Sequence, residues 1–166
     1  KSKRIIEVAK TIHKKVKFLI IGDGASKSDL LDRAQKEQLN NIKFISNISW
    51  QEIVNLNQVI DMHLVHLIDN PEFKKVIPSK IFESMALRKP IIMGVLGESR
   101  DIVIKAKCGI NINPDNHNEL NDAINKYIDT PQALKEIGDN GYSFLTKHYS
   151  RKKLANKMIE SIQSII

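Results

Sequence analysis

Short continuous apolar runs alternate with helix-period segments along almost the whole chain, and this alternation most limits what it can fold into. Val16-Lys17-Phe18-Leu19-Ile20-Ile21 ends at Gly22, and Ile42–Ile45, Met62–Leu67, Pro90–Met93 and Gly109–Ile112 follow at similar intervals. Between them, apolar residues recur at helical spacing over 3–13, Lys27–Gln38, Trp50–Gln58, Ser79–Leu87 and Glu98–Lys107. Three further helices are expected at Asn118–Ile128, Pro131–Lys147 and Arg151–Ile165. Strands that alternate with helices of this length make βαβ units. Runs that are apolar throughout belong to strands covered on both faces. The pattern therefore predicts an α/β protein with a Rossmann-like, doubly wound parallel sheet and helices on both sides. No repeat, low-complexity stretch or flexible linker divides the 166 residues, so one domain is expected.

Composition narrows the function classes. Aromatic residues are 5% of the chain, so the core must be aliphatic. No apolar run reaches the roughly 18 residues of a membrane span. Cys108 is the single cysteine, which leaves no internal disulfide and gives no sign of an oxidising compartment. The chain opens on Lys1 rather than Met, and the charged start contains no leader pattern. A piece of a longer cytoplasmic protein is the expectation. Lys and Arg number 26 against 19 acidic residues, a net charge of +7. The excess collects at Lys1, Lys3, Arg4, Lys10, Lys14, Lys15 and Lys17, and again at Lys147, Arg151, Lys152, Lys153 and Lys157. Two readings stay open: solvated helix faces, or contact with an anionic partner such as nucleotide phosphate or an acidic membrane surface. Nucleic acid is disfavoured, because no aromatic stacking strand accompanies the lysines.

In open parallel sheets, ligands bind beyond the carboxyl ends of the strands. Gly22-Asp23-Gly24 follows the first strand and reads either as a tight turn or as a place where backbone approaches a ligand. A third glycine, needed for a dinucleotide fingerprint, is replaced by Lys27. Ser46-Asn47-Ile48 follows the second strand as a plain loop or a seat for a flat base. The informative segment is Ile77–Ala86. Pro78 forces the helix to begin at Ser79, whose free backbone N–H groups would attract an anion. Ile81, Phe82, Met85 and Ala86 share the face expected to be buried. Ser79 and Glu83, spaced i and i+4, meet at its edge. A carboxylate one turn into a phosphate-binding helix suits a sugar diol; the alternative is a surface charge favoured near a helix start. Cys108 reads as a small buried hydrophobe. His63 and His66, three apart on one strand, face opposite sides and cannot share a metal. No Asp-x-Asp pair or G-x-S-x-G elbow occurs.

Glu83-Ser84-Met85-Ala86-Leu87-Arg88-Lys89-Pro90 resembles the E-A-M-A-x-G-x-P segment of glycosyltransferases of the GT-B fold, most closely family 4. Leu19–Gly24 resembles that family's strand and Gly-x-Gly turn. Ile42–Ser46 resembles its V-x-F-x-G, and Val59–Leu64 its A-D strand. Gly109–Pro114 with Glu119–Ile124 resembles its G-x-x-x-x-P and L-x-x-A-I ending. The five blocks stand in order over nearly the whole chain. The resemblance implies the C-terminal, donor-binding domain of a retaining, metal-independent enzyme that needs no cofactor and takes a nucleotide-sugar, with UDP favoured. Glu83 would bind the ribose and the amides of Ser79 and Lys80 the diphosphate. Asn47 and Ile48 would contact the base, Gly22 and Gly24 would line the donor site, and Lys1 would meet the diphosphate. The P-S-K-x-F-E form is similar to a subgroup acting on N-acetylated UDP-sugars. Lipid-linked acceptors common in the family imply a place at the inner membrane face, in bacterial polysaccharide or glycoconjugate synthesis. Catalytic residues are not assigned.

Two departures from the family carry consequences. Lys75 stands where the family has a second glutamate facing the donor sugar, and the nearest upstream acid is Glu72. The family's first strand precedes the first helix, whereas this sequence starts in that helix. The missing strand is central, so the acceptor-binding N-terminal domain and this strand would both lie outside the 166 residues. The flanking strands, at Phe18 and Met62, are expected to pair directly or to enclose a strand supplied from elsewhere. Two other functions compete: a UDP-sugar 2-epimerase of the same fold, and a non-catalytic nucleotide-binding or scaffold subunit.

Overall fold

The computed structural model describes residues 3–12, 15–66, 76–150 and 153. The elements run α1 (Lys3–Thr11), β1 (Phe18–Ile21), α2 (Lys27–Lys36), β2 (Ile42–Ile45), α3 (Trp50–Leu56), β3 (His63–His66) and α4 (Ser79–Ala86). They continue with β4 (Ile91–Gly94), α5 (Glu98–Ala106), β5 (Gly109–Asn111), α6 (His117–Asn125) and α7 (Pro131–His148). The alternation in the sequence is thus the alternation of the fold. The helix expected at Arg151–Ile165 lies outside the described residues. Element ends move by a few residues for local reasons. Expected to reach Gln38, α2 stops at Lys36, because Gln38 turns left-handed at φ +51°. Ser49 starts α3 as a reciprocal capping box with Glu52, an arrangement that satisfies two otherwise orphaned N–H groups.

Every strand pair is parallel. β1 pairs with β2 from Phe18↔Ile42 to Ile21↔Ile45, while β3 pairs with β4 and β4 with β5. Helices cover both faces, and β4 shows how. Ile91 and Met93 pack on one side against Ile81 and Met85 of α4 and Ile102 and Val103 of α5. Ile92, between them, packs on the other side against Val8 of α1 and Leu120 of α6. The period of two in a strand sends neighbours to opposite faces. Cys108 is buried in the first of these clusters, as its apolar setting predicts.

The expected direct pairing of the strands at Phe18 and Met62 is not found. Among the described residues β1 bonds only to β2, and β3 only to β4, so two sheets stand side by side with no strand between them. The helix α1 packs against residues of both sheets. Its Ile6 packs with Leu30, Ala34 and Ile42 beneath β2, while Val8 and Ile12 pack with Ile92 and Leu120 beneath β4. With α1 packed on both sheets, the two are joined through it and not through a β1–β3 ladder. Phe18 and Leu64 still share a hydrophobic cluster, so the sheets are joined by side chains rather than by backbone bonds.

Candidate functional site

The turn after β1 is built around Asp23. Gly22 sits at φ +124°, a conformation that L side chains rarely adopt, and it aims Asp23 across to the loop after β2. Asp23 Oδ2 accepts the Asn47 N–H at 3.0 Å, and Oδ1 accepts from Lys27 Nζ. Lys27 also reaches Ser46 Oγ at 3.2 Å. The Lys27 ammonium, together with the Asn47 N–H, holds the Asp23 carboxyl below its usual range. Asp23 therefore staples Gly22 and Gly24 to Asn47 and Ile48, and these four predicted site residues come together at the carboxyl ends of β1 and β2. The loop after β2 is pinned by two residues absent from the expected site, Asp23 and Lys27. The Asp23–Lys27 spacing of i, i+4, directly after a Gly-x-Gly turn, was the signal for them.

The second group lies on α4. Pro78 precedes the helix with extended backbone and offers no side-chain cap, so the first turn keeps amide donors for a ligand. Ser79 Oγ donates to Glu83 Oε1 at 2.9 Å, as the i, i+4 spacing predicts. Ser79, Lys80 and Glu83 are all exposed. The buried face differs from expectation in one respect. Ala86 is exposed, whereas Ser84 is buried with Ile81 and Met85, because Ser84 turns inward to meet His63.

His63 and His66 bond to separate partners, as opposite faces of one strand predict. Its ring bonds Ser84 Oγ through Nδ1 at 2.7 Å and Asn57 Oδ1 through Nε2 at 2.6 Å, while His66 Nε2 reaches the Pro114 carbonyl at 2.8 Å. Nothing in the spacing of residues 57, 63 and 84 announces this network. Burial, with Lys89 adding to it, pushes the His63 imidazole down to about 4.

A cavity of about 310 Å³ opens between the two sheets. Ile20 of β1, Leu64 and His66 of β3, Lys80 of α4 and His117 of α6 line it. Of the predicted site residues among the described ones, only Lys80 does so. A smaller cavity of about 230 Å³ between β5 and α6 holds none of them. Lys1, Glu72 and Lys75 lie outside the described residues. Among the described residues no three His, Cys, Asp or Glu side chains converge as metal ligands, and no helix is long and apolar enough to cross a membrane.

The match to known proteins follows the same span. The model of the family described as glycosyl transferases group 1 matches residues 2–144. The chain belongs to that family. It is 26% identical over 136 residues to an uncharacterized glycosyltransferase of Methanocaldococcus jannaschii, covering 82% of this chain and 37% of that protein. Its fold is that of HepE from Anabaena, solved in complex with UDP, with a TM-score of 0.83 at 19% identity. That match covers 98% of this chain and 44% of HepE. HepE has also been solved with UDP-glucose. The structure of WaaG, a glycosyltransferase involved in lipopolysaccharide biosynthesis, matches with a TM-score of 0.71 at 16% identity, over 86% of this chain and 38% of WaaG. The domain is thus a group 1 glycosyltransferase domain with the Rossmann-like architecture of the GT-B fold. It spans less than half the length of these relatives.

Proposed function

We propose that this domain holds the nucleotide-sugar donor, a UDP-sugar, of a retaining, metal-independent glycosyltransferase of family 4 type. The observation that carries the reading is the start of α4, where an uncapped first turn, the Ser79–Glu83 pair and Lys80 at the cavity edge stand together. The amides of Ser79 and Lys80 receive the diphosphate, and the helix dipole adds about 0.3–1 kcal/mol per interaction. Glu83 Oε1 is already satisfied by Ser79, which orients the carboxylate and leaves Oε2 for a ribose hydroxyl. Asn47 and Ile48 take the base, held in place by Asp23. When the sugar departs, charge accumulates on the diphosphate, and Lys80 with the α4 amides stabilises it.

The acceptor-binding domain and most reacting groups lie outside these 166 residues, in a protein serving bacterial polysaccharide or glycoconjugate synthesis at the inner membrane face. So does one strand between β1 and β3. The open facing edges of those strands support this reading, since a single parallel strand there would bond to both. UDP and UDP-glucose bound to HepE, and the lipopolysaccharide role of WaaG, favour a UDP-sugar in cell-surface synthesis. Titration calorimetry with UDP, GDP and ADP tests the donor assignment. Saturable binding that prefers UDP is expected; equal affinity for all three, or none, rejects it.

A further inference from the structure

We propose that His63 is a positioning residue of the nucleotide site, setting the first turn of α4 through Ser84 and responding to the diphosphate bound there. This rests on the donor-site reading above. The geometry is a continuous relay. Asn57 Nδ2 donates to the Ile53 carbonyl at 2.8 Å, which fixes the amide so that its Oδ1 faces His63. An amide oxygen only accepts, so Nε2 of His63 carries a proton. On the other side of the ring, Ser84 Oγ lies 2.7 Å from Nδ1 and 2.6 Å from the Lys80 carbonyl.

The neutral ring leaves Nδ1 as an acceptor, and the single Ser84 proton must then choose between Nδ1 and the Lys80 carbonyl. A protonated ring removes the conflict: Nδ1–H donates to Ser84, and Ser84 donates to Lys80. Hydrogen bonding therefore favours the cation, while the surroundings oppose it. Burial is the largest opposing influence, with the Lys89 and Lys80 ammonium groups on the same side; Glu83 is the one facing group that favours charge. A diphosphate at the first turn of α4 brings negative charge beside Lys80 and shifts this balance toward the cation. Protonation of His63, which then sets in at a higher pH, lets Ser84 commit to the Lys80 carbonyl and fixes the residue whose amide holds the ligand. Ligand binding and ring protonation are linked, so each strengthens the other.

The test is residue-specific NMR of the His63 ring in the full chain, titrated over pH without ligand, with saturating UDP and with saturating uridine. UDP should raise the His63 midpoint by about one pH unit, the lower end of what a nearby opposite charge produces. Uridine, lacking the diphosphate, should leave it in place. A midpoint that UDP does not move, or that uridine moves equally, overturns the proposal and leaves the donor site standing. Failure of UDP to bind removes both. In parallel, His63→Gln should weaken UDP several-fold while leaving uridine affinity unchanged; an unchanged UDP affinity counts against the positioning role. The NMR arm uses the unaltered protein and decides the question even where that variant does not fold.

Discussion

Glu83 is open to two meanings, ribose ligand or surface charge, and both fit its exposed place beside Ser79. It is exposed, so removing it should leave the core intact. Glu83→Ala is expected to weaken UDP by about 1.5–3 kcal/mol, the scale of a lost charged hydrogen bond, with little change in melting temperature. Calorimetry beside a melting curve separates the two meanings, because a plain surface charge would move neither. His63 gives a second expectation. Its folded value of about 4 lies below the usual 6.5, so the unfolded chain binds a proton that the folded chain excludes. Stability contributed by the neutral ring is complete above about pH 6.5 and is lost as pH falls toward 4. With allowance for solvent screening the loss is about 2 kcal/mol. Denaturant midpoints between pH 7 and pH 4 should show this slope in the wild type and a flatter one in His63→Gln.

Helix positions were legible because their signals are local. Pro78 before α4, Ser49 before α3 and, for a strand, the continuous apolar run of β4 each act within a few residues. What escaped the sequence depends on partners far along the chain. Ser84 looks like any small helical residue until His63, 21 positions away, draws it inward. Gly138 and Gly141 of α7 are further cases. A Cβ at Gly138 would collide with the Arg88 carbonyl, and one at Gly141 would come within 2.9 Å of Cys108 Cβ. These glycines let α7 lie flat on the end of α4, where Arg88 adds an ion pair to Asp139 and stacks over the Tyr142 ring. Gly138→Ala should therefore destabilise the domain by about 1–3 kcal/mol, despite its better helix propensity. A melting temperature equal to or above that of the wild type would show that α7 can lift away without penalty.

At the scale of the whole molecule, the charge of +7 is the net of 26 basic and 19 acidic groups, and the lysines are not equally available to a membrane. Lys10 is held by Glu37 at 3.2 Å and Glu7 at 3.7 Å, which offsets much of its attraction to anionic lipid. Co-sedimentation with liposomes should still be stronger for anionic than for neutral vesicles. It should weaken only slightly in Lys10→Ala and more in Lys17→Ala, whose residue is exposed with roughly 1 kcal/mol available near an anionic surface. Equal sedimentation with both lipids would discard membrane contact.

The gap between β1 and β3 also sets a hierarchy in time. β4 is buried along its length and bonded on both sides, so its amides can exchange with solvent only through large openings. β1, half-buried and bonded on one side, is expected to open while the β3–β4–β5 sheet stays closed. The isolated domain should accordingly melt at its α2–β2 end first. A strand that filled the gap would do more than add bonds: it would merge two clocks into one, making the slow exchange of β4 the rate for the whole sheet.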